Sequence, residues 1–579
     1  MAWSRAKGLG DGVGSSAPGV PVACLLAHLL AVCREVLSAA LKLASPAKWP
    51  GPPKSRGRGR IVTNPLTESL TIQLTRHTME TELKLQVPPT DIERMRQHPV
   101  LAEHAVGAPT EHRRTDTYYD TPEHALWKHG LTLRVREQDG TFIQTVKTAD
   151  GPSPGLHRRG EWECELPDAT PQPALLARQI KPARVAAPLT SDDIATRLQP
   201  VFRNTTQRTT WDIRLPDGEQ VECALDAGDI ASGERHTPIA ELELELKSGS
   251  PAQLFDLALA LHHDVPLRMA NDSKAARGYA LSEPATPQAI KAARVRLKKS
   301  MSLEDAFQCI GLNCLRQMEA NVTGVLARDV ESLHQMRVGL RRLRALLDMF
   351  EELTVPPADI ADGLEWLAGE LGATRDWDVL AASTLDRIDG NDTAALRDAA
   401  RAKAARLHKH MLDTLHVPRF TELMLRLNAW LQGRQWRADG IPQRALTASA
   451  ADGAQPLLRK AEKRLAQRIG KLDPDDAPAR HRVRIAAKKA RYAAEFFRDL
   501  LPKQSVKRYV ANLSALQDQL GLMNDVAVAE RLLPELQHGN GELARQAAYA
   551  RGYLRAGTGA DVRALKKPLA AIARLRMRR

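Results

Sequence analysis

The sequence predicts an α+β chain with several domains, in which an eight-stranded antiparallel β-barrel precedes an all-α duplicated helical bundle. Three observations predict this fold. Residues 79–281 alternate polar and apolar side chains in short runs, as strands do, whereas residues 301–579 have helical periodicity. Two segments of the helical part also repeat the same residues at the same spacing. With 579 residues the chain is long enough for each part to have its own core.

The first 78 residues differ from the rest in composition. They are rich in Gly, Pro, Ser and Arg, as in PGPPKSRGRGR, and show no sustained periodicity. We interpret residues 1–78 as a disordered leader or as the product of a mis-assigned start, with Met79 as the alternative first residue. The apolar run Val20–Val32 is too short to span a bilayer. We therefore expect no membrane association.

Charge and cysteine usage narrow the class of protein. The net charge is +14, but acidic residues exceed basic ones in 79–290 and basic residues exceed acidic ones in 291–579. An acidic half can hold cations and a basic half can hold a polyanion. The six cysteines have neither zinc-finger spacing nor the density of a disulfide framework, so we predict a cytoplasmic protein. The motifs GxxxxGK[ST], HExxH and GxSxG are absent.

Charged side chains lie two residues apart on several predicted strands, which puts them on one face. Glu80, Glu82 and Lys84 share a face in METELKLQV, and Arg134 and Arg136 share one in LTLRVRE. A further strand, ELELELK, has the same alternation. A solvated outer face is the usual explanation. Charges of both signs on so many strands instead favour a closed barrel whose lumen holds a dense anion with cations, because unpaired buried charge is costly.

The first strand resembles the ExExK signature of the CYTH superfamily, the triphosphate tunnel metalloenzymes, through ETELK. Six further segments resemble that family in the same order between Met79 and Leu281. They are YYDTPEHALWKHGLTLRVRE, TVKT, GLHRRGEWE, ECALDAGDI, ELELELKSG and SKAARGYAL. The resemblance implies a tunnel domain at 79–283 that binds a linear triphosphate. The residue pattern itself predicts short helices near Thr90–Gln97 and Ala252–His262 and a linker at 284–300.

The resemblance also implies roles for individual residues. Glu80, Glu82 and Lys84 would be catalytic, and Mg²⁺ or Mn²⁺ would assist hydrolysis of inorganic triphosphate to diphosphate and phosphate, in keeping with all-oxygen ligands. The metal ligands would be Glu80, Glu82, Asp226, Glu241, Glu243 and Glu245, with Glu161 as a weaker candidate. The substrate would be bound by Lys84, Arg134, Arg136, Lys147, Arg159, Arg208, Lys274 and Arg277.

The helical part contains an internal repeat. HQMRVGLRRLR and HRVRIAAKKAR align His334 with His481 and Arg337 with Arg484, and the following segments LGATRDWDV and LGLMNDVAV also correspond. We therefore predict that residues 301–579 form a duplicated helical bundle, with repeats at about 301–430 and 456–579.

Each copy of the repeat places basic residues on one helical face. His334, Arg337, Arg341 and Arg344 fall within one arc of a helix. A solvated face is the usual meaning, but the repetition favours one groove between the two copies. The motif resembles the CHAD domain, which implies polyphosphate binding and, with the barrel, a likeness to bacterial CYTH–CHAD inorganic triphosphatases. The residues implied are His334, Arg337, Arg341, Arg344, Arg375, His481, Arg484, Lys488 and Arg491.

Other functions remain open at this stage. The barrel could belong to an adenylate cyclase or a thiamine triphosphatase of the same fold, or to a non-catalytic polyphosphate-binding scaffold. We expect polyphosphate rather than nucleic acid in the groove, because the chain has only 7 Tyr and 8 Phe and no aromatic platform beside the basic stripes. The oligomeric state, the choice between the two metals and the carboxylate that positions water are not determined by the sequence.

Overall fold

The computed structural model describes residues 78–148, 156–284, 286–388, 393–439, 446–537 and 541–574. Within these ranges the side chains of 78–80, 157–159, 438–439, 559–560 and 573–574 are not described. The leader predicted for residues 1–78 therefore lies outside the described residues, apart from the backbone of Thr78. The described residues all belong to one compact unit.

The first part of this unit is built on antiparallel strands. The strands are β1 Thr78–Gln86, β2 Thr110–Asp120, β3 Leu131–Gln138, β4 Thr141–Thr148, β5 Leu156–Leu166, β6 Gln199–Arg214, β7 Gln220–Ser232, β8 Arg235–Ser248 and β9 Arg268–Met269. Helices α1 Ile92–Arg96, α2 Pro99–His104, α3 Ala125–Lys128, α4 Pro173–Ala177, α5 Ala183–Leu189, α6 Asp192–Ala195, α7 Ala252–Asp264 and α8 Lys274–Ser282 lie between or after them.

Strand pairing joins eight of these strands into a ring. Their order is β5-β4-β3-β2-β6-β7-β8-β1, and an additional pairing of β1 with β5 connects the two ends, while β9 pairs with β1. Leu83 of β1, for example, lies opposite Leu156 of β5 on one side and Leu244 of β8 on the other. The predicted eight-stranded antiparallel barrel is confirmed.

The register places like positions of neighbouring strands side by side. Glu82 lies opposite Glu245, and Lys84 lies opposite Glu243. Asp226 lies opposite both Glu241 and Arg208. Because directly opposite residues of a pair point to the same face of a sheet, these charged side chains all leave the ring on one side.

The alternate residues of the same strands form an apolar core outside the ring. Leu83, Leu85, Leu242 and Leu244 are fully buried and belong to one cluster with residues of α7. This cluster also includes Leu425 and Ala429, which lie on α14 (Pro418–Gln432) of the helical part. The apolar face is therefore covered by helices, and the charged face is left to the lumen.

The second part of the unit is entirely helical in the part of the chain that is described. Its helices are α9 Leu303–Glu319, α10 Val322–Leu326, α11 Val330–Met349, α12 Ala358–Val379, α13 Ala394–His416, α14 Pro418–Gln432, α15 Ala450–Gly470, α16 Ala477–Phe496, α17 Lys503–Leu532 and α18 Gly541–Arg574. The predicted helical bundle is confirmed. No described helix combines the length and apolarity that crossing a bilayer requires. The cytoplasmic location stays a prediction.

The two repeated basic motifs lie on α11 and α16. Each helix starts with an aspartate whose side chain accepts a hydrogen bond from the backbone, Asp329 in α11 and Asp476 in α16, as helix N-caps do. The two helices contact each other, since Arg341 Nε donates to the Tyr492 hydroxyl at 2.8 Å. The repeat detected in the sequence therefore corresponds to two neighbouring helices.

The segment expected to link the two parts is held against the helical bundle. Val295 and Leu297 are each only 6% exposed and belong to the main helical core. Asn321 donates to the Ile290 carbonyl and accepts from the Ile290 amide. The barrel also bonds directly to the bundle, through Asn271 Nδ2 to the Glu319 carbonyl at 3.0 Å. The exact domain and repeat boundaries stay predictions.

Candidate functional site

The lumen of the strand ring is a cavity of about 290 Å³ walled mainly by charged side chains. Most of the tunnel residues named from the sequence line it: Glu82, Lys84, Arg134, Arg136, Lys147, Glu161, Arg208, Asp226, Glu243, Glu245 and Lys274. Glu241 and Arg277 lie beside it, with Arg277 Nη1 at 3.2 Å from Glu241 Oε2. The backbones of Glu80 and Arg159 face each other across β1 and β5. Their side chains lie outside the described residues.

One wall of the lumen is organised around Asp116. Arg136 Nε donates to Asp116 Oδ1 at 2.7 Å, and Arg134 Nη1 lies 3.3 Å from Asp116 Oδ2. Burial by itself would raise the pKa of the Asp116 carboxyl, but Arg134 and Arg136 outweigh it and hold that pKa well below its usual range. The carboxylate stays ionised and orients both guanidinium groups.

A second part of the wall, on β6, β7, β8 and α8, carries a buried cluster of carboxylates and cations. Lys274 Nζ lies 2.7 Å from Asp226 Oδ2 and 3.0 Å from Glu243 Oε1, and it also contacts Glu241. Arg208 Nη2 lies 2.5 Å from Asp226 Oδ2 and 2.6 Å from Glu243 Oε2. Burial would raise the pKa of Glu243, but Lys274, Lys84 and Arg208 lower it well below the ordinary value. The same cluster raises the pKa of Lys274 although burial opposes this.

A third group of charges lies where β7, β8 and β1 adjoin. Lys247 Nζ lies 2.9 Å from Glu245 Oε1 and 3.2 Å from Glu222 Oε2. Burial raises the pKa of Glu245, and the neighbouring carboxylates of Glu222 and Glu82 add to that rise against the opposing effect of Lys247. Carboxylates that repel one another in this way would be stabilised by a cation.

Two carboxylates of β5 face the basic residues of β3 and β4. Lys147 Nζ lies 2.8 Å from Glu161 Oε1, and Arg134 Nη2 lies 3.5 Å from the same atom. Glu163 accepts a hydrogen bond from the Thr145 hydroxyl at 2.8 Å. Basic groups on every side of the lumen are thus held in place by acidic ones.

The donor set of the lumen fits a hard divalent cation. Asp226, Glu241 and Glu243 each offer a carboxylate oxygen, and these oxygens lie within 4.8 Å of one another. All-oxygen ligation of this kind suits Mg²⁺ or Mn²⁺ better than zinc. The ammonium of Lys274 contacts the same three carboxylates. A positive charge at this position is therefore compatible with the surroundings.

Helix α8 reaches the lumen because it packs unusually close to β6. A methyl group placed on Gly278 would come 2.2 Å from the Phe202 ring, so only glycine permits this approach. Tyr279 fixes the same helix by donating from its hydroxyl to Asp120 Oδ2 at 2.9 Å. Ser273 caps the start of the helix. This packing places Lys274 in the lumen.

Several charged residues of the lumen were not predicted from the sequence: Arg114, Asp116, Glu163 and Glu222. Lys247 also lines the lumen; it belongs to the alternating strand ELELELK but was given no role there. The signal of these residues was present, because Arg114 and Asp116 lie two residues apart on β2 and Glu163 lies two residues after Glu161. Applying the two-residue spacing to every strand would have included them.

A second charged cavity, of about 620 Å³, lies between α11 and α16 in the helical part. We call it the basic groove. Of the residues expected there, Arg337, Arg341, Arg344, His481, Arg484 and Lys488 line it, together with Leu340, Ala345, Asp348, Ala368, Ile485, Lys489 and Tyr492. His334, Arg375 and Arg491 do not belong to its lining. Arg491 instead lies over the Tyr492 ring, 5.4 Å from its centroid.

Like charges crowd the basic groove and shift the pKa of its members. Burial, then Arg341, Arg484 and other arginines, lower the pKa of Lys488 to about 6. Burial and Arg375 lower the pKa of His334 to about 4. Asp376 of α12 forms an ion pair with Arg531 at 2.8 Å and also acts on the guanidinium groups of Arg337 and Arg484. Cations close together with few acidic partners attract a polyanion.

Family comparisons place two domains on this architecture. The family model for the CYTH domain matches residues 78–279, and the model for the CHAD domain matches residues 309–534. The first match covers the strand ring and α8 as far as Tyr279, and the second covers α11, α16 and the groove between them.

Individual relatives match one or both of these regions. An inorganic triphosphatase of Haemophilus influenzae is 37% identical over 167 residues, which are 29% of this chain and 45% of that protein. A Mycobacterium tuberculosis protein described as uncharacterized is 25% identical over 405 residues, or 65% of this chain and 74% of its own length. The crystal structure of the CHAD domain from the plant Ricinus communis is 38% identical, covers 50% of this chain and 98% of its own, and has a TM-score of 0.46.

Proposed function

Because this chain carries a CYTH domain followed by a CHAD domain, we propose that it hydrolyses inorganic triphosphate to diphosphate and phosphate in the strand tunnel. The match to the Haemophilus influenzae inorganic triphosphatase spans less than half of that relative. We therefore propose the activity for the whole protein and do not infer it from this match alone. In the same proposal Mg²⁺ or Mn²⁺ assists the reaction, and the helical part binds polyphosphate.

One observation carries this proposal: the lumen holds buried cations and buried carboxylates in alternation. Arg134 and Arg136 pair with Asp116, while Lys274 and Arg208 pair with Asp226. Stability alone does not explain such a lumen, since buried ion pairs recover their desolvation cost only partly. A bound triphosphate would interact with the cationic side chains of the lumen, and the metal ions bound with it would interact with the carboxylates.

The basic residues of the lumen would bind the phosphoryl oxygens. Guanidinium groups bind phosphate through two parallel hydrogen bonds, and Arg134, Arg136 and Arg208 are already oriented by carboxylates. Lys84, Lys147 and Lys274 contribute point charges from three further directions. Together they would neutralise the charge of the phosphate chain and place a phosphorus atom where water can attack it in line with the leaving oxygen.

Two sets of carboxylates would hold the metal ions. The first contains Asp226, Glu241 and Glu243. The second contains Glu82 of β1 and Glu245 of β8, which lie opposite each other, and Glu80 lies two residues before Glu82 on β1. When bound, a divalent cation supplies charge neutralisation and a more acidic water molecule. Carboxylates of the lumen that it leaves free would orient the attacking water and accept its proton.

In the helical part, the basic groove would bind polyphosphate. Its arginines come from both α11 and α16, and a chain of phosphates could contact both helices at once. Some exposed arginines elsewhere on the bundle are paired with a carboxylate three residues away, as Arg545 is with Glu542 and Arg401 is with Asp398. Binding in the basic groove would keep a polyphosphate substrate or product on the enzyme.

A substrate comparison tests this function. Phosphate release is measured from inorganic triphosphate, ATP, thiamine triphosphate and long-chain polyphosphate, each with Mg²⁺, with Mn²⁺ and with EDTA. Fastest release from inorganic triphosphate, lost in EDTA, supports the proposal. A cyclic nucleotide formed from ATP would support an adenylate cyclase, preference for the thiamine ester would support a thiamine triphosphatase, and tight binding without turnover would support a scaffold.

A further inference from the structure

Two consecutive lysines of the basic groove have different electrostatic surroundings. Lys488 and Lys489 both lie on α16 and both line the cavity. Lys489 Nζ lies 2.7 Å from Asp348 Oδ1 and so has a carboxylate partner. Among the described residues, no carboxylate lies within ion-pair distance of Lys488. Lys488 occupies in the second repeat the position that Arg341 occupies in the first, so an amine replaces a guanidinium there.

The charged groups around Lys488 come from three helices. Burial and the positive charges of Arg341, Arg484 and Arg337 lower the pKa of Lys488 to about 6. The nearby carboxylates form ion pairs with other groups: Asp348 pairs with Lys489 and Arg464, and Asp376 pairs with Arg531. Asp376 also acts on the guanidinium groups of Arg337 and Arg484, where it opposes the lowering of their pKa by burial. The charged and titratable groups facing this position are Arg337, Arg341, Arg344 and Asp348 on α11, His481, Arg484, Lys489, Arg491 and Tyr492 on α16, and Asp525 on α17, which acts on Arg484.

This arrangement puts a nucleophile next to a phosphate-binding surface. At neutral pH the amine of Lys488 keeps its lone pair, whereas the neighbouring guanidinium groups keep their charge. Arginines bind a phosphate group tightly and in a fixed orientation. A small molecule that carries both a phosphate and an electrophilic carbon would be held with that carbon close to the amine.

We propose that Lys488 is a modification site that is acylated by acyl phosphates bound in the basic groove. The amine nitrogen attacks the carbonyl carbon, and a C–N bond forms while the bond from that carbon to the phosphate oxygen breaks. The electron pair of the broken bond leaves with the phosphate, which takes the proton released by the nitrogen, so an amide and hydrogen phosphate result. The inference rests on phosphate binding in the groove but not on hydrolysis in the strand tunnel.

Acylation would change how the groove binds polyanions. An unmodified Lys488 can take up a proton when phosphates enter, and it then contributes a positive charge to binding. An amide cannot take up that proton, and its acyl group fills part of the cavity. We therefore expect the modified protein to bind polyphosphate more weakly and to hydrolyse triphosphate at an unchanged rate.

Site-resolved mass spectrometry of the full chain tests the proposal, with Lys489 as the internal reference. The protein is treated with acetyl phosphate at pH 7.5, and acetylation of each lysine is followed over time. At this pH an ordinary lysine is neutral in about one molecule in a thousand. A less basic amine is intrinsically less nucleophilic, which offsets part of this advantage, so we expect Lys488 to react at least about tenfold faster than Lys489. Equal or slower reaction of Lys488 would overturn the proposal.

A second reagent separates nucleophilicity from phosphate binding. An uncharged N-hydroxysuccinimide ester of acetic acid reports the amine alone. We expect saturating polyphosphate and the substitution Arg341→Gln each to slow acetylation of Lys488 by acetyl phosphate more than acetylation by the ester. If both reagents are slowed equally, acyl phosphates are not bound by the groove and the proposal fails. Triphosphate hydrolysis, measured on the same samples, shows independently whether the tunnel functions.

Discussion

Lys274, in the first turn of α8, places its Nζ atom 2.7 Å from Asp226 Oδ2 of β7, inside the strand ring. The lysine is therefore part of the wall of the lumen although it belongs to a helix. Glu241 and Glu243 contact the same ammonium, and of the three carboxylates Asp226 and Glu241 are each only 1% exposed. Through this ion pair, a helix packed on the barrel contributes a side chain to the proposed reaction site.

Removal of the Lys274 charge is expected to affect stability as well as activity. Lys274→Met leaves three buried carboxylates without this partner, so the metal-free protein should lose about 3 kcal/mol of unfolding free energy in urea titrations. Addition of Mg²⁺ or Mn²⁺ should return part of that loss. Lys274→Arg is the matched control, because it keeps the charge and should lose less. Equal stability of the wild type and Lys274→Met would contradict the pairing described here.

The carboxylate of Glu82 is expected to be essential for hydrolysis. Glu82→Gln keeps the size of the side chain but removes its charge, and we expect kcat for triphosphate to fall at least about 100-fold. The far-ultraviolet circular dichroism spectrum should not change. Glu234→Gln, in the exposed turn between β7 and β8, removes one carboxylate from the surface and should retain full activity. A Glu82→Gln enzyme with near-normal kcat would exclude a role for this carboxylate.

Asp116 is expected to make stability depend on pH. Its pKa lies below the unfolded-state value, so its contribution is fully present above the unfolded pKa of about 4 and is lost as the pH falls towards the lower, folded value. Asp116→Asn should cost about 2 to 3 kcal/mol at pH 7. The difference from the wild type should shrink steadily below pH 4. A difference that does not vary between pH 7 and pH 3 would contradict this interpretation.

Gly278 is expected to tolerate no side chain. In Gly278→Ala the new methyl group would meet the Phe202 ring, so α8 must move away from β6 and carry Lys274 with it. We expect a loss of about 1 to 3 kcal/mol in stability and a higher KM for triphosphate. The nearby Ala280→Ser, at an exposed position of the same helix, serves as the control. An unchanged KM in Gly278→Ala would show that α8 does not position substrate-binding groups.

The basic groove is expected to function separately from the tunnel. Arg337→Ala combined with Arg484→Ala should raise the Kd for polyphosphate at least about tenfold and reduce the salt dependence of binding, since fewer counterions are released. Triphosphate hydrolysis should not change. Arg401→Ala with Arg545→Ala removes the same charge from exposed positions and should leave the Kd nearly unaltered. If hydrolysis fell together with binding in the first variant, the proposed division of labour would be wrong.

Much of the tunnel was predictable from local spacing. Residues two apart on a strand share a face, which was enough to group Glu82 with Lys84 and Arg134 with Arg136. Asp116 and Glu222 were left out because the same rule was not applied to every strand. Pairing partners were not predictable in this way, because they depend on strand register and on which strands become neighbours.

The groove was predictable only in part. The repeat identified α11 and α16, and their basic stripes do face one cavity. Helical spacing could not show that His334 and Arg491 lie outside that cavity, or that Asp376 forms its ion pair with Arg531. Those outcomes depend on how the helices pack against α12 and α17.

The sequence by itself determined which side chains share a strand face or a helix face, because that follows from the two-residue and 3.6-residue periods of the backbone. It also determined the duplication of the basic helix. Only the tertiary structure decided that β1 closes the ring between β5 and β8 and that Lys274 enters the lumen from a helix. It also decided that Lys488 lies among arginines and has no carboxylate partner within the described part of the chain. The physical reason is that burial and electrostatic interactions depend on distances in space between residues far apart in the chain.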